Sequence, residues 1–189
     1  MKKRLTLGLL LAFFTTALMA QGPMFFNGDK VLNLGIGFGT SLYSGGLYNS
    51  SVPPISASYE VGIKDDVLDI GSIGVGGYIG YVAYKWEYDY GFGSYGYKYS
   101  DFVIGARGTF HYPLLENFDT YTGVMLGFDI VSSKEFGDSQ YSVNYSASSS
   151  HVVGSWYIGG RYYFSDRFAG MLELGYGISY INLGVAFKM

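Results

Sequence analysis

The chain has 189 residues, enough for one domain with its own core or one small barrel. Hydrophobic residues make up 49% and charged residues 14%, with 20 Tyr and 29 Gly, a pairing that fits poorly with a globule wetted on every side. The lack of cysteine excludes disulfides, thiolate metal sites and a lipidated amino terminus, and a net charge of −3 with no basic stripe excludes nucleic acid as a partner.

Met1–Ala20 reads as a secretory signal, with basic Lys2-Lys3-Arg4, an apolar run from Leu5 to Phe14 and a processing region ending at Ala20. That run is shorter than the ~20 residues a membrane helix needs, and no later apolar stretch approaches that length. After a short leader, residues 21–189 read as one run of alternating strands. The first, Lys30–Leu42, sets Leu32, Leu34, Ile36 and Phe38 against Asn33, Gly35, Gly37 and Gly39. A loop from Tyr43 to Pro54 follows, and then a second strand, Ile55–Lys64, with Ser56, Ser58, Glu60 and Gly62 on its polar face. Asp65-Asp66 opens a tight return into a third strand, Ile73–Lys85.

The fourth strand, Phe102–Tyr112, turns Gly105, Arg107 and Thr109 to the polar side. A short turn at Pro113–Phe118 leads to the fifth, Thr120–Ser132, with Val124, Leu126, Phe128 and Ile130 on its apolar face. A polar loop over Lys134–Ser150 precedes the sixth strand, Val152–Phe164. Ser165-Asp166-Arg167 turns the chain into a final hairpin, whose two-residue turn at Gly177-Ile178 sets Leu174 opposite Ile181, Leu172 opposite Leu183 and Phe168 opposite Phe187. The polar faces are mostly Gly, Ser and Asn with roughly one charge per strand, which suits the crowded interior of a small closed barrel. The opposite face is Leu, Ile, Val and aromatic, as lipid requires. About ten residues at ~3.3 Å each, tilted ~40°, span roughly 25 Å, the height of an outer-membrane apolar band. The expected fold is therefore all-β, an eight-stranded antiparallel up-and-down transmembrane barrel. Connections after the second, fourth and sixth strands are short and those after the first, third and fifth long, which predicts periplasmic termini.

With these elements in place, the chain resembles the small eight-stranded outer-membrane barrels of Gram-negative bacteria, of the OmpX and OmpA transmembrane type. The resemblance rests on Gly159-Gly160-Arg161-Tyr162-Tyr163-Phe164, on Leu172-Glu173-Leu174-Gly175-Tyr176-Gly177 and on the ending Leu183-Gly184-Val185-Ala186-Phe187-Lys188-Met189. It implies an outer-membrane, cell-surface location, contact with outer-membrane lipid and lipopolysaccharide, and insertion by the barrel-assembly machinery. Members end in an aromatic insertion signal; here Met189 takes that place and Phe187 sits two residues before it. The same architecture serves adhesion, defence and structure, and in a few cases catalysis.

Alternation places Glu60, Arg107, Asp129, Arg161 and Glu173 inside the barrel, where unpaired charge would be costly, so an ion-pair network filling the lumen is expected. The alternative is an ion-pair gate in a narrow small-solute channel. A lipid-A-modifying enzyme would need His and Ser two apart on one face with an acid beside them. His151 and Val153 do not supply this, Ser149 falls on the loop side with no evident acid partner, and His111 faces inward near the periplasmic end. No metal-ligand spacing or cofactor motif occurs, so no catalytic, cofactor or metal site is expected.

From Lys85 to Phe102 the chain is rich in Tyr, and a turn at Gly93-Ser94 would place Phe92 opposite Tyr95, Tyr90 opposite Tyr97 and Tyr88 opposite Tyr99, with Asp89 facing Lys98 behind them. Carried downward, that register sets Ala83 against Ile104 and Tyr81 against Ala106. Such a hairpin is either a rigid stalk or a Tyr-rich recognition surface. The function expected is that of a monomeric, non-enzymatic structural or surface-interaction barrel, with a cell-surface or host ligand as its partner.

Overall fold

The computed structural model describes residues 24–40, 42, 48–89, 94–137 and 146–189, so the expected signal Met1–Ala20 lies outside them. Eight antiparallel strands follow in chain order: β1 (Lys30–Phe38), β2 (Tyr48–Val67), β3 (Gly71–Asp89), β4 (Ser94–Leu115), β5 (Phe118–Gly137), β6 (Ser146–Tyr163), β7 (Phe168–Tyr176) and β8 (Ile181–Lys188). Each pairs with the next, and β8 returns to β1 to close the barrel, with Leu34 opposite Val185 and Ile36 opposite Leu183.

Period-two alternation makes these strands, and burial shows which face is which. Leu34, Ile36, Ile79, Ile104, Leu126, Phe128, Leu172 and Leu183 are exposed, while Asn33, Glu60, Arg107, Asp119 and Arg161 are buried. A water-soluble globule reverses this order. An apolar outside around a polar inside is the signature of a barrel that crosses a membrane. At the end carrying the chain termini, Tyr162 and Phe164, Phe164 and Phe168, and Phe168 and Phe187 form successive ring contacts at 5.3, 6.1 and 5.2 Å. Such a girdle of rings suits the boundary between lipid and headgroups.

Several strands outrun their expected limits, by two or three residues at the termini end (65–67, 71–72, 113–115 and 118–119) and by more at the opposite end. Residues 48–54, 134–137 and 146–151 are strand rather than loop, and residues 86–89 and 94–101 are strand as the hairpin expected over Lys85–Phe102 requires. Pro53 and Pro54 masked this on β2, but there β2 pairs only with β3, across register shifts between Val52 and Ile55, and an edge bulge tolerates proline. β1, by contrast, stops at Phe38 and β7 at Tyr176. Pairing of β1 to β2 begins at Ile55 and pairing of β7 to β6 at Trp156, so among the described residues the extension is an open sheet, β2 to β6, with free edges on β2 and β6. The return after β2 is at Leu68–Ile70, later than Asp65-Asp66, with Asp66, Leu68 and Asp69 all at positive φ.

The termini end is closed from below. Phe25 is fully buried among Val31, Tyr163, Ala169 and Ala186. Its segment is tied in by Gly28 N–H to the Gly62 carbonyl, Ser72 Oγ to the Phe25 carbonyl at 2.8 Å, and a Lys188–Asp29 ion pair at 2.7 Å. A Cβ on Gly62 would fall 1.9 Å from the Phe26 carbonyl oxygen, so this close approach requires glycine. The described part of the short leader thus forms the barrel's floor.

Candidate functional site

Above Phe25 the lumen holds one connected charge network. β6 brings in Arg161, whose Nη1 meets Asp119 Oδ2 at 2.9 Å, whose Nη2 meets Glu60 Oε2 at 2.5 Å, and whose Nε donates to Asn33 Oδ1. β4 brings in Arg107, whose Nη2 meets Glu173 Oε1 at 2.7 Å while its Nε donates to the Tyr157 hydroxyl. Ser58 joins the halves by accepting from both Arg107 Nη1 and Asn33 Nδ2. Tyr121 joins them again, lying under the Arg161 guanidinium and donating to Glu173. His111 sits between carboxylates, Nδ1 at 2.8 Å from Asp119 and Nε2 at 2.9 Å from Glu60, with its ring stacked on Phe25 at 3.9 Å.

Glu60, Arg107, Arg161 and Glu173 thus come together. Arg161 and Glu173 are diagonal neighbours on β6 and β7 but do not pair; each takes a partner from across the lumen. Asp129 stands apart and corrects the expectation. It lies opposite Val103 on one side and His151 on the other, four positions above Met125, which is the partner of Arg107. His151 therefore does have an acid across from it, at 3.7 Å. That is an ion-pair separation rather than a hydrogen bond, and no hydrogen bond joins His151 to a serine among the described residues. Sequence reasoning missed His111, Asp119, Tyr121 and Tyr157 as network members, although all have inward parity. The signal available was that parity, read together with the cost of leaving a charge or a polar group unpaired inside the barrel.

Over this network the lumen turns apolar. The connection after β7 is not a two-residue turn; residues 177–180 form it, with Gly175 N–H donating to the Tyr180 carbonyl. Gly177 takes φ +148°, and Ile178 drops inward onto Val103 and Met125, with Leu42, Tyr78 and Val153 around them. A cavity of about 40 Å³ remains between Ile178, Arg107 and Glu173, room for little more than a water or two. Another of about 210 Å³ opens above, lined by Leu42, Val103, Val153 and Ile178.

At the rim the expected β3–β4 register fails by four residues. Tyr88 faces Tyr95, Trp86 faces Tyr97, Tyr84 faces Tyr99, and Asp89 faces Ser94 rather than Lys98. Below, Ile79 meets Ile104 and Tyr81 meets Phe102. Ser94 is therefore strand and not turn. Tyr90 and Phe92 lie outside the described residues. Because four is even, each residue keeps its face. Trp86, Tyr95, Tyr97 and Tyr99 make a chain of ring contacts at 5.5–6.2 Å on the inner side. The hydrogen bond between the Tyr95 and Tyr97 hydroxyls raises the Tyr95 phenol above its ordinary value. At the other end Phe187 faces outward against Phe168, and Met189 is exposed.

These features define the class: an eight-stranded barrel of the outer-membrane type, with an occupied lumen and a protruding sheet. No family model and no curated protein matches the sequence. Among solved structures, the chain is similar to Ail, the attachment invasion locus protein of Yersinia pestis, at 12% identity and TM-score 0.51, over 86% of this chain and 96% of Ail. The N-terminal β-barrel domain of Pseudomonas aeruginosa OprF also matches, at 14% identity and TM-score 0.49, over 87% of this chain and 98% of that domain. At such identity the likeness to Ail speaks for the fold, in agreement with the closed ring of strands.

Proposed function

We propose that this chain is a non-enzymatic outer-membrane barrel that acts by contact at the cell surface, through the part of β2 to β6 standing beyond the apolar belt. The observation that carries this reading is the asymmetry of the strands. β1, β7 and β8 end near the belt, while their neighbours continue as an open sheet with aromatic rings on the inner side. Tyr and Trp bury much area at little entropic cost, which favours them on contact surfaces. The sheet end would be extracellular and both termini periplasmic, because the short returns after β2, β4 and β6 are at the termini end. Phe187, with Met189, would serve as the terminal signal for the assembly machinery. Ail was solved with the heparin analogue sucrose octasulfate, and a host ligand for this chain is part of the same proposal.

Replacing Tyr88, Tyr95, Tyr97 and Tyr99 together by Ser tests it. Loss of cell-surface binding with an intact barrel supports the contact role, and unchanged binding refutes the aromatic surface. The competing channel reading gains its only foothold from the charged lumen. A steady single-channel current from the unmutated protein in planar bilayers would favour it over a filled barrel.

A further inference from the structure

The outward face of the protruding sheet carries lysines at one level. Lys85 on β3 pairs with Lys98 on β4, and Lys98 pairs with Lys134 on β5. Like charges directly opposite one another weaken a sheet, so strand pairing alone gives no reason for this row. Lys85 and Lys98 both lean over the Phe136 ring, with Nζ at 4.5 and 5.5 Å from its centre. Lys85 is partly neutralised by Glu87 at 2.8 Å, whereas Lys98 and Lys134 are exposed and make no ion pair among the residues whose side chains are described. Serines border the row on the same face: Ser146 pairs with Lys134, and Ser100, Ser132 and Ser148 lie side by side one step nearer the belt. The inner face of the same sheet instead carries Asp101, Asp129 and Glu135, so an anion is directed outward.

Below the row is an open groove of about 190 Å³ on the lipid-facing wall, lined by Ile55, Ala57, Ile79, Tyr81 and Phe102. Tyr81, Phe102 and Ile130 form the apolar level at its top, and the lysines are four residues further along each strand. At ~3.3 Å per residue and ~40° tilt this is roughly 10 Å, within reach of the headgroup layer above the hydrocarbon. Lysine stems extend along such a boundary while the ammonium stays in the polar layer. Cationic row and apolar groove thus stand in the order of an anionic lipid's headgroup and chain.

We propose that this face binds a phosphorylated membrane lipid, with Lys98, Lys134 and Lys85 on its phosphate, the bordering serines donating to the same oxygens, and an acyl chain in the groove beneath. The site rests on the reading of the apolar belt as lipid-facing. Native mass spectrometry of the full chain, released from nanodiscs of mixed phosphatidic acid and phosphatidylcholine with matched chains, tests it. The wild type should retain phosphatidic acid preferentially. The K98Q/K134Q double variant, which keeps the Lys85–Glu87 pair, should weaken that retention about 30-fold, taking the usual contribution of each lysine near a membrane surface. The two substitutions remove repulsion, so heat resistance in neutral detergent should not fall. Ala57→Phe, which fills the groove, should weaken binding of the long-chain lipid and leave dihexanoyl phosphatidic acid unaffected. Equal retention by wild type and K98Q/K134Q overturns the proposal. Lysine-dependent binding of soluble heparin without any lipid preference overturns it too, by assigning the row to a soluble polyanion. Failure of the wild type to enter a bilayer at all would instead sink the belt reading beneath it.

Discussion

Along β4 the inner face changes character. Near Leu115 it presents His111, Thr109 and Arg107, each buried and each hydrogen-bonded across the lumen. Near Ser94 it presents Tyr99, Tyr97 and Tyr95, half-buried and in contact chiefly with aromatic neighbours. Backbone, alternation and neighbouring strands are the same in both halves. What differs is closure. Where the ring is complete, an inward polar group is cut off from water and another side chain must satisfy it. Where β1, β7 and β8 have stopped, the inner face meets solvent, and broad neutral rings replace paired charges. Burial makes the lower half stable, and exposure leaves the upper half free to touch something else.

Substitutions should hit the two halves unequally. Arg161→Ala is expected to be the most damaging, at about 3–5 kcal/mol, because it strands Glu60 and Asp119 in a dry lumen with His111 as their remaining partner. Urea unfolding in liposomes measures the loss, and adding Glu60→Gln to a size-matched Arg161→Met should recover part of it. Phe25→Ala removes the ring that floors the lumen and should cost about 3 kcal/mol by the same assay. A small effect would detach the leader from the barrel's stability.

Leu183→Arg, on the lipid face between Ile36 and Leu172, should cost about 2–3 kcal/mol in bilayers. A neutral outcome there would undo the assignment of faces throughout the chain. The weakest effect belongs to the rim. Replacing Tyr88, Tyr95, Tyr97 and Tyr99 by Ser forfeits cross-strand contacts of ~0.2–1 kcal/mol each, yet should leave the barrel's unfolding midpoint in place. Hydrogen exchange should then separate the halves, with amides of residues 95–99 faster than those of residues 104–110 in the wild type and faster still in the variant. Equal protection along the whole of β4 would erase the comparison.

Alternation is a local property, and it made much of this protein legible from the sequence alone. The number of strands, the closed-barrel class and the side faced by Glu60, Arg107, Arg161 and Glu173 all follow from residues two apart. Parity also survives an even slip, which explains why the rim tyrosines kept their face although the β3–β4 register was misread by four residues. The misreading had a chemical consequence. It placed Lys98 against Asp89, a bland ion pair, where the structure sets Lys98 between Lys85 and Lys134. A turn rich in Gly, Tyr and Ser is compatible with more than one register, and the neighbouring strands select among them. Lumen partners were hidden for a related reason. Arg107 meets Glu173 across 66 positions, Arg161 meets Glu60 across 101 and Asn33 across 128. Parity says that such groups share an interior, but their heights within it come from the stagger of strands around a closed ring. Only the closed barrel could place Phe25 beneath His111, lift Asp129 out of the network and line the lysines along one level.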